Sequence, residues 1–301
     1  MEPLDIPIPR WERRLVGALA RNVFWRGRRG GPWPVPAQLS QEEVRLVGND
    51  GADLAARWFP LPAEEGPVRG VVVLAHPDRR YGQHWFVKDG RVAWLLARGF
   101  EVLTFDFAMY GGSRGGSTYL HDDVLAAARW AGREAGGLPV HVWGVSLGAF
   151  AATNAAPDLG FVDGLVLESP YPSFGAWSEG AGGGDWRGTL FDRAFPRTVR
   201  RIDARTNLAR AKAKRILVVA SAADTVTPIR LSRDVASSGP PGRTAYVELD
   251  GAEHLALFED ERYRAAVLST FEPGAPLHDV AVRSSTSRSR RAASSAEIAS
   301  R

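Results

Sequence analysis

Val140-His141-Val142-Trp143-Gly144-Val145-Ser146-Leu147-Gly148 decides the fold. Val140 to Trp143 reads as a buried strand, and the Ala-rich run from Ala149 to Ala156 reads as a helix. Between them lies Gly-x-Ser-x-Gly, the pattern of a nucleophile elbow. In that turn a serine hydroxyl projects above the edge of the sheet, and small residues two positions to either side let two backbones crowd together. The helix N-terminus then aims free N–H groups at developing negative charge. A bare Gly-x-Ser-x-Gly string is weak in a chain with 32 glycines. The flanking strand and helix make it specific.

Working outward, the pattern alternates between strands and helices. Glu42 to Val47 and Leu54 to Phe59 flank Asn49-Asp50-Gly51, a hairpin signal. Val71 to Ala75 is a short apolar run suited to a buried parallel strand. A helix is expected over Val87 to Arg98, a strand over Glu101 to Phe105 and a helix over Asp122 to Glu134. Beyond the elbow come a strand at Gly164 to Leu167, a stretch over about 171–210 that breaks the alternation, and a strand at Arg215 to Ala220. A helix at Ile229 to Ser237, a strand at Thr244 to Leu249 and a helix at Asp260 to Phe271 complete it. A hairpin followed by such alternation implies an α/β fold, with a mostly parallel sheet and helices on both faces.

A serine hydroxyl needs a base, and the base needs a carboxylate to orient it. His254 follows the strand ending at Leu249, in Asp250-Gly251-Ala252-Glu253-His254. Asp224 follows the strand ending at Ala220, in Ser221-Ala222-Ala223-Asp224. Glu168, at the end of the preceding strand, is the alternative acid. An oxyanion hole needs two backbone donors. Leu147 supplies one. The loop His76-Pro77-Asp78 supplies the other, and since proline has no N–H, Asp78 is the expected donor.

The order Ser146, Asp224, His254, on loops after successive strands, resembles the α/β-hydrolase superfamily over residues 42–271. The chain looks most like small-lid bacterial serine hydrolases of the serine aminopeptidase and lipase-like branch. Asp106-Phe107-Ala108-Met109-Tyr110-Gly111-Gly112-Ser113 matches that branch's Asp-x-Arg-Gly-x-Gly-x-Ser loop, with Ala108 and Met109 replacing Arg-Gly. In the family this loop is structural. His-Gly is usual where this chain has His76-Pro77. The resemblance implies hydrolysis of an ester, thioester or amide through an acyl-enzyme, without metal or organic cofactor, on a small-molecule acyl substrate. It also implies that 171–210 is a cap, whose Phe174, Trp177, Trp186 and Phe191, with Phe195, could line an apolar pocket. The alternative keeps the fold but makes the chain a weakly active or inactive hydrolase-like scaffold at a membrane or a partner.

The rest of the chain bounds these readings. With 301 residues and 45% hydrophobic composition, one large domain over 37–271 is expected. No cysteine is present, which excludes thiol catalysis, thiolate metal sites and disulfides. The net charge of +4 is carried almost wholly by arginine, lysine occurring only at 88, 212 and 214. That skew reads as a genome-composition bias, and no specific nucleic-acid partner is expected.

Residues 1–36 form an extension. A basic amphipathic helix is expected over 10–25, from Trp11, Leu15, Leu19 and Val23 with Arg10, Arg13, Arg14 and Arg21. Docking on the body or a second subunit is favoured over peripheral membrane contact. Pro32, Pro34 and Pro36 mark a linker. Arg13-Arg14 resembles a twin-arginine signal, but Arg21 interrupts the apolar run short of the roughly 7–15 residues such a signal needs. A cytoplasmic chain, peripheral to the membrane at most, is expected. The Ser/Arg-rich stretch 272–301 has little to bury and is expected to be a disordered tail.

Overall fold

The computed structural model describes residues 8–9, 11–12, 15–16, 34–48, 51–79, 81–108, 110–115, 119–180, 186–272 and 274–275. The expected tail beyond 275, most of the expected helix at 10–25, and Met109 lie outside the described residues.

Eight strands form one sheet: β1 (Glu42–Val47), β2 (Asp53–Phe59), β3 (Gly70–Ala75), β4 (Phe100–Phe105), β5 (Val140–Val145), β6 (Gly164–Glu168), β7 (Arg215–Ser221) and β8 (Thr244–Leu249). Their spatial order is β1-β2-β4-β3-β5-β6-β7-β8. The β1–β2 and β2–β4 pairs are antiparallel, and every pair from β4 to β8 is parallel. The chain therefore delivers the loops after β5, β6, β7 and β8 to one edge of the sheet, where ligands bind in open parallel sheets.

Strand periodicity divides the core into two layers. Along β3, Val71, Val73 and Ala75 face one layer while Val72 and Leu74 face the other. The first layer is covered by helices at Leu120–Glu134 (α3), Leu147–Ala155 (α4) and Ala204–Ala209 (α8). The second is covered by Trp85–Lys88 (α1), Arg91–Leu96 (α2) and Glu261–Phe271 (α10). Ile229–Ser237 (α9) packs on the first side through Leu231 and Val235. Every residue of β3, β5 and β6 is buried, which explains why Val71 to Ala75 reads as an unbroken apolar run.

One expected helix needs correction. The helix expected over 87–98 is broken into α1 and α2, because Asp89-Gly90 intervenes and Gly90 adopts φ 83°. Periodicity continued across the break because both pieces bury one face on the same layer. The stretch that breaks the alternation holds helices at Phe174–Gly180 (α5), Trp186–Ala194 (α6) and Pro196–Arg201 (α7), besides α8.

The loop after β4 is built around Asp106. Its carboxylate accepts hydrogen bonds from Gln83 N (2.8 Å), Gln83 Nε2 (3.1 Å) and Gly112 N (3.0 Å). Gly82 and Gly111 both have positive φ, and a Cβ on either would strike that carboxylate. Asp123 accepts from Ala108 N at 2.9 Å, and burial pushes its carboxyl up to about 8. Among the described residues, no helix is long and apolar enough to cross a membrane.

His141 lies within β5, stacked on Phe271 at 4.3 Å between centroids, with neither ring nitrogen hydrogen-bonded. Burial lowers its pKa to about 3. Its folded pKa lies below the unfolded 6.5, so its contribution is complete above pH 6.5 and is lost as pH falls toward 3. Replacing it by leucine is expected to flatten the fall in urea-unfolding free energy between pH 7 and pH 4. A fall equal to that of the wild type would contradict this.

Candidate active site

The turn from β5 into α4 sets the position of Ser146, the expected nucleophile. Ser146 has φ 52° and ψ −111°, a conformation that costs a side-chain-bearing residue of order 1–3 kcal/mol. A Cβ on Gly144 would lie 2.6 Å from Gly148 C and 2.8 Å from Ala149 Cα. On Gly148 it would run 2.5 Å from Ala75 C and 2.9 Å from His76 O. Both glycines are therefore required by close approach, the first between β5 and α4, the second between α4 and the end of β3. Ser146 N–H donates to Glu168 O at 2.8 Å, tying the turn to β6.

Three side chains from three loops meet at the sheet edge. His254 Nε2 lies 3.1 Å from Ser146 Oγ. His254 Nδ1 lies 2.7 Å from Asp224 Oδ2. A carboxylate only accepts, so Nδ1 carries the proton and Nε2 is left to accept from the serine hydroxyl. The His254 and Asp224 side chains are 8% and 0% exposed. Leu255, following the histidine, also has a positive φ, 71°. This line can withdraw the serine proton as the hydroxyl oxygen attacks an electrophile.

Asp224 is held by more than histidine. Its Oδ1 accepts from Val226 N (2.9 Å) and Thr227 N (2.7 Å), and its Oδ2 also accepts from Ser169 Oγ (2.9 Å). Burial alone would raise its carboxyl, but hydrogen bonds from His254, Thr227 and Ser169 outweigh it and hold the group below the usual carboxylate range. Sequence reasoning missed Ser169. Its signal was its place beside Glu168 at a strand end, but not its φ of 52°, which aims the hydroxyl across to the β7 loop.

Glu168, the alternative acid, is engaged elsewhere. It is fully buried, with Arg91 Nη1 2.8 Å from its Oε2 and Tyr263 Oη donating to the same oxygen at 2.7 Å. Trp143 Nε1 donates to Tyr263 Oη at 2.8 Å. Arg91 Nε also lies 3.0 Å from Asp89 Oδ2. Strand alternation sends the Glu168 side chain under the sheet, away from His254.

Leu147 opens α4, so its amide has no intrahelical acceptor. Asp78 sits in the loop after β3, whose end abuts Gly148. Its carboxylate accepts from Tyr110 Oη at 2.6 Å.

The aromatic residues expected in the pocket separate into two groups. Phe150 follows Ser146 by one helical turn, and Tyr171 stacks on it at 4.8 Å and 6°. Phe174 lies 5.0 Å from Phe150, and Trp177 lies 6.0 Å from Tyr171. Phe150 and Tyr171 were missed because each reads as ordinary core. Trp186 is a correction: it is 65% exposed, since α6 turns Gly188 and Phe191 inward. Phe191 and Phe195 bury against Val16 of the N-terminal segment rather than around an open space.

No family model matches the sequence. The human protein ABHD12B is 40% identical over 130 residues, which is 41% of this chain and 35% of that protein. The zebrafish (Danio rerio) lysophosphatidylserine lipase ABHD12 is 36% identical over 83 residues, 26% of this chain and 22% of that protein. The chain thus spans about a third or less of the length of these curated relatives. Among solved structures, the esterase Pf2001 of Pyrococcus furiosus superposes with a TM-score of 0.61 at 17% identity, over 80% of this chain and 93% of that one. With its eight-stranded, mostly parallel sheet and a strained serine between β5 and α4, the chain has the α/β-hydrolase fold.

Proposed function

We propose that the protein is a serine hydrolase of carboxylester-type substrates, acting through an acyl-enzyme on Ser146. One observation carries the reading: Ser146 Oγ, His254 and Asp224 form a continuous hydrogen-bonded line, 3.1 Å and 2.7 Å long in its two links. A scaffold would not need these groups in contact. The esterase and lipase names among the similar proteins support the same reaction class.

Ser146 Oγ attacks the carbonyl carbon while His254 Nε2 takes its proton. The carbonyl oxygen becomes an oxyanion beside the Leu147 amide, with the Asp78 amide as second donor. Asp224 stabilises the imidazolium and keeps it oriented. His254 returns the proton to the leaving alkoxide, and the acyl group stays on Ser146. Water, deprotonated by the same nitrogen, then attacks the acyl carbon, and the serine leaves with the proton. Phe150, Tyr171, Phe174 and Trp177 offer an apolar wall to the acyl or aromatic part of the substrate.

Initial rates on p-nitrophenyl esters test this. Ser146→Ala is expected to lower kcat at least about 10³-fold, and Asp224→Asn by about 10³- to 10⁴-fold, because an amide favours the wrong histidine tautomer. Retention of most activity in Asp224→Asn would return the acid's role to another group, Glu168 first.

Ser169 is the positioning residue for Asp224 in this reading. Ser169→Ala removes one donor to a charged carboxylate, a loss of about 1.5–3 kcal/mol at pH 7. The folded pKa of Asp224 lies below its ordinary 3.8, so the stability it contributes is present above that value and is lost as pH falls through the folded pKa. The variant's deficit relative to wild type is therefore expected to shrink as pH falls below about 4, and kcat is expected to fall more than KM changes. A deficit independent of pH, with kcat unchanged, would show that Ser169 only packs.

A further inference from the structure

The N-terminal segment and the cap share one seam. Val16, 2% exposed, packs with Phe191 of α6 and with Phe195. Glu12, 3% exposed, accepts from Thr198 Oγ1 at 2.8 Å and from Thr198 N at 3.3 Å through the same Oε1. This seam consumes one face of each helical stretch. The residues left outside it are Trp11 and Leu15, four apart, and Trp186 and Leu190, also four apart. They are 63%, 45%, 65% and 53% exposed.

Eight large apolar side chains are exposed among the described residues, and half of them belong to this one pair of segments. Such concentration is unlike the single apolar residues scattered over an ordinary surface. Neither tryptophan touches another ring among the described residues. Arg193, Arg197 and Arg200 are exposed, and none of the three makes a hydrogen bond or ion pair among the described residues. The local acids offset them only in part. Glu12 is spent in the seam, and Asp192 accepts from Ser173 Oγ (2.8 Å) and Gly175 N (3.1 Å), with burial raising its carboxyl. Glu179 is exposed and accepts from Thr189 Oγ1 at 3.0 Å, one carboxylate against three unpaired arginines. In the sequence, Arg10, Arg13 and Arg14 interleave with Trp11 and Leu15.

We propose that the N-terminal segment and α6 together form a docking face for an anionic lipid bilayer surface. Tryptophan and leucine enter the headgroup boundary while unpaired arginines meet lipid phosphates. A symmetric second copy fits less well, since a self-complementary contact would set arginine against arginine. The sequence offered membrane contact and docking on the body as rival fates of residues 10–25. Here Glu12 and Val16 meet the cap while Trp11 and Leu15 stay exposed. Phe191 lies 5.9 Å from Phe174, which lies 5.0 Å from Phe150. The docking face is thus separated from the wall of the candidate active site by a single aromatic layer. Docking itself does not depend on the hydrolase reading.

The test is co-sedimentation of the full chain with phosphatidylcholine vesicles with and without phosphatidylglycerol. Wild type is expected to pellet with the anionic vesicles and to be released by salt. Trp186→Glu/Leu190→Glu and Arg193→Glu/Arg197→Glu are each expected to bind at least tenfold more weakly. Phe161→Glu, at an exposed residue elsewhere (40%), is expected to bind as wild type. Thermal melting of each variant checks folding without relying on activity. Wild type remaining in the supernatant would overturn the proposal, as would either double variant pelleting like wild type. A concentration-dependent dimer in sedimentation velocity, dispersed by Trp186→Glu/Leu190→Glu, would also overturn it and give the face to a second copy.

Discussion

The hydrogen bond from Ser146 N–H to Glu168 O is the contact on which the site depends. It fixes the Ser146 backbone to the neighbouring strand at the point where the chain is strained. Glu168 is itself immobilised from below, by Arg91 and by the hydroxyl of Tyr263, which takes a hydrogen bond from Trp143 on the elbow strand. Strands β5 and β6 are thereby clasped by side chains under the sheet and by main chain above it. The buried ion pair need not add net stability, since desolvation offsets much of its attraction. Its effect is positional.

Strain recurs around the reaction line. Ser146, Ser169 and Leu255 are the positive-φ residues other than glycine among the described residues. Ser146 is the proposed nucleophile, Ser169 binds the proposed acid Asp224, and Leu255 follows the proposed base His254. Two of them are held by their surroundings: Ser146 by the Glu168 carbonyl, and Ser169 by its bonds to Val219 O and Asp224. Strained residues held in this way cluster at functional sites because relaxed backbone would not aim the groups.

Much of this was legible in the sequence for identifiable reasons. Buried parallel strands read as short, mostly apolar runs, so β3, β5, β6 and β7 stood out. Gly-x-Ser-x-Gly between a strand and a helix marked the turn. Strand ends then pointed to Asp224 and His254. What stayed hidden depended on side-chain direction. Ser169 looks like any serine before a proline, and only its φ turns the hydroxyl toward Asp224. Phe150 and Tyr171 look like core, and Trp186 looked like pocket, because periodicity inside a short cap helix does not say which neighbour it meets. The split between α1 and α2 turned on Gly90, whose positive φ is a property of the folded backbone.

The central claim is that the fold activates one serine as a nucleophile. Labelling with a fluorophosphonate probe measures that without any assumption about the natural substrate. Wild type is expected to form a stoichiometric adduct located on the Ser146 peptide, and Ser146→Ala none. A well-folded wild type that stays unlabelled, or an adduct on another residue, would contradict the account.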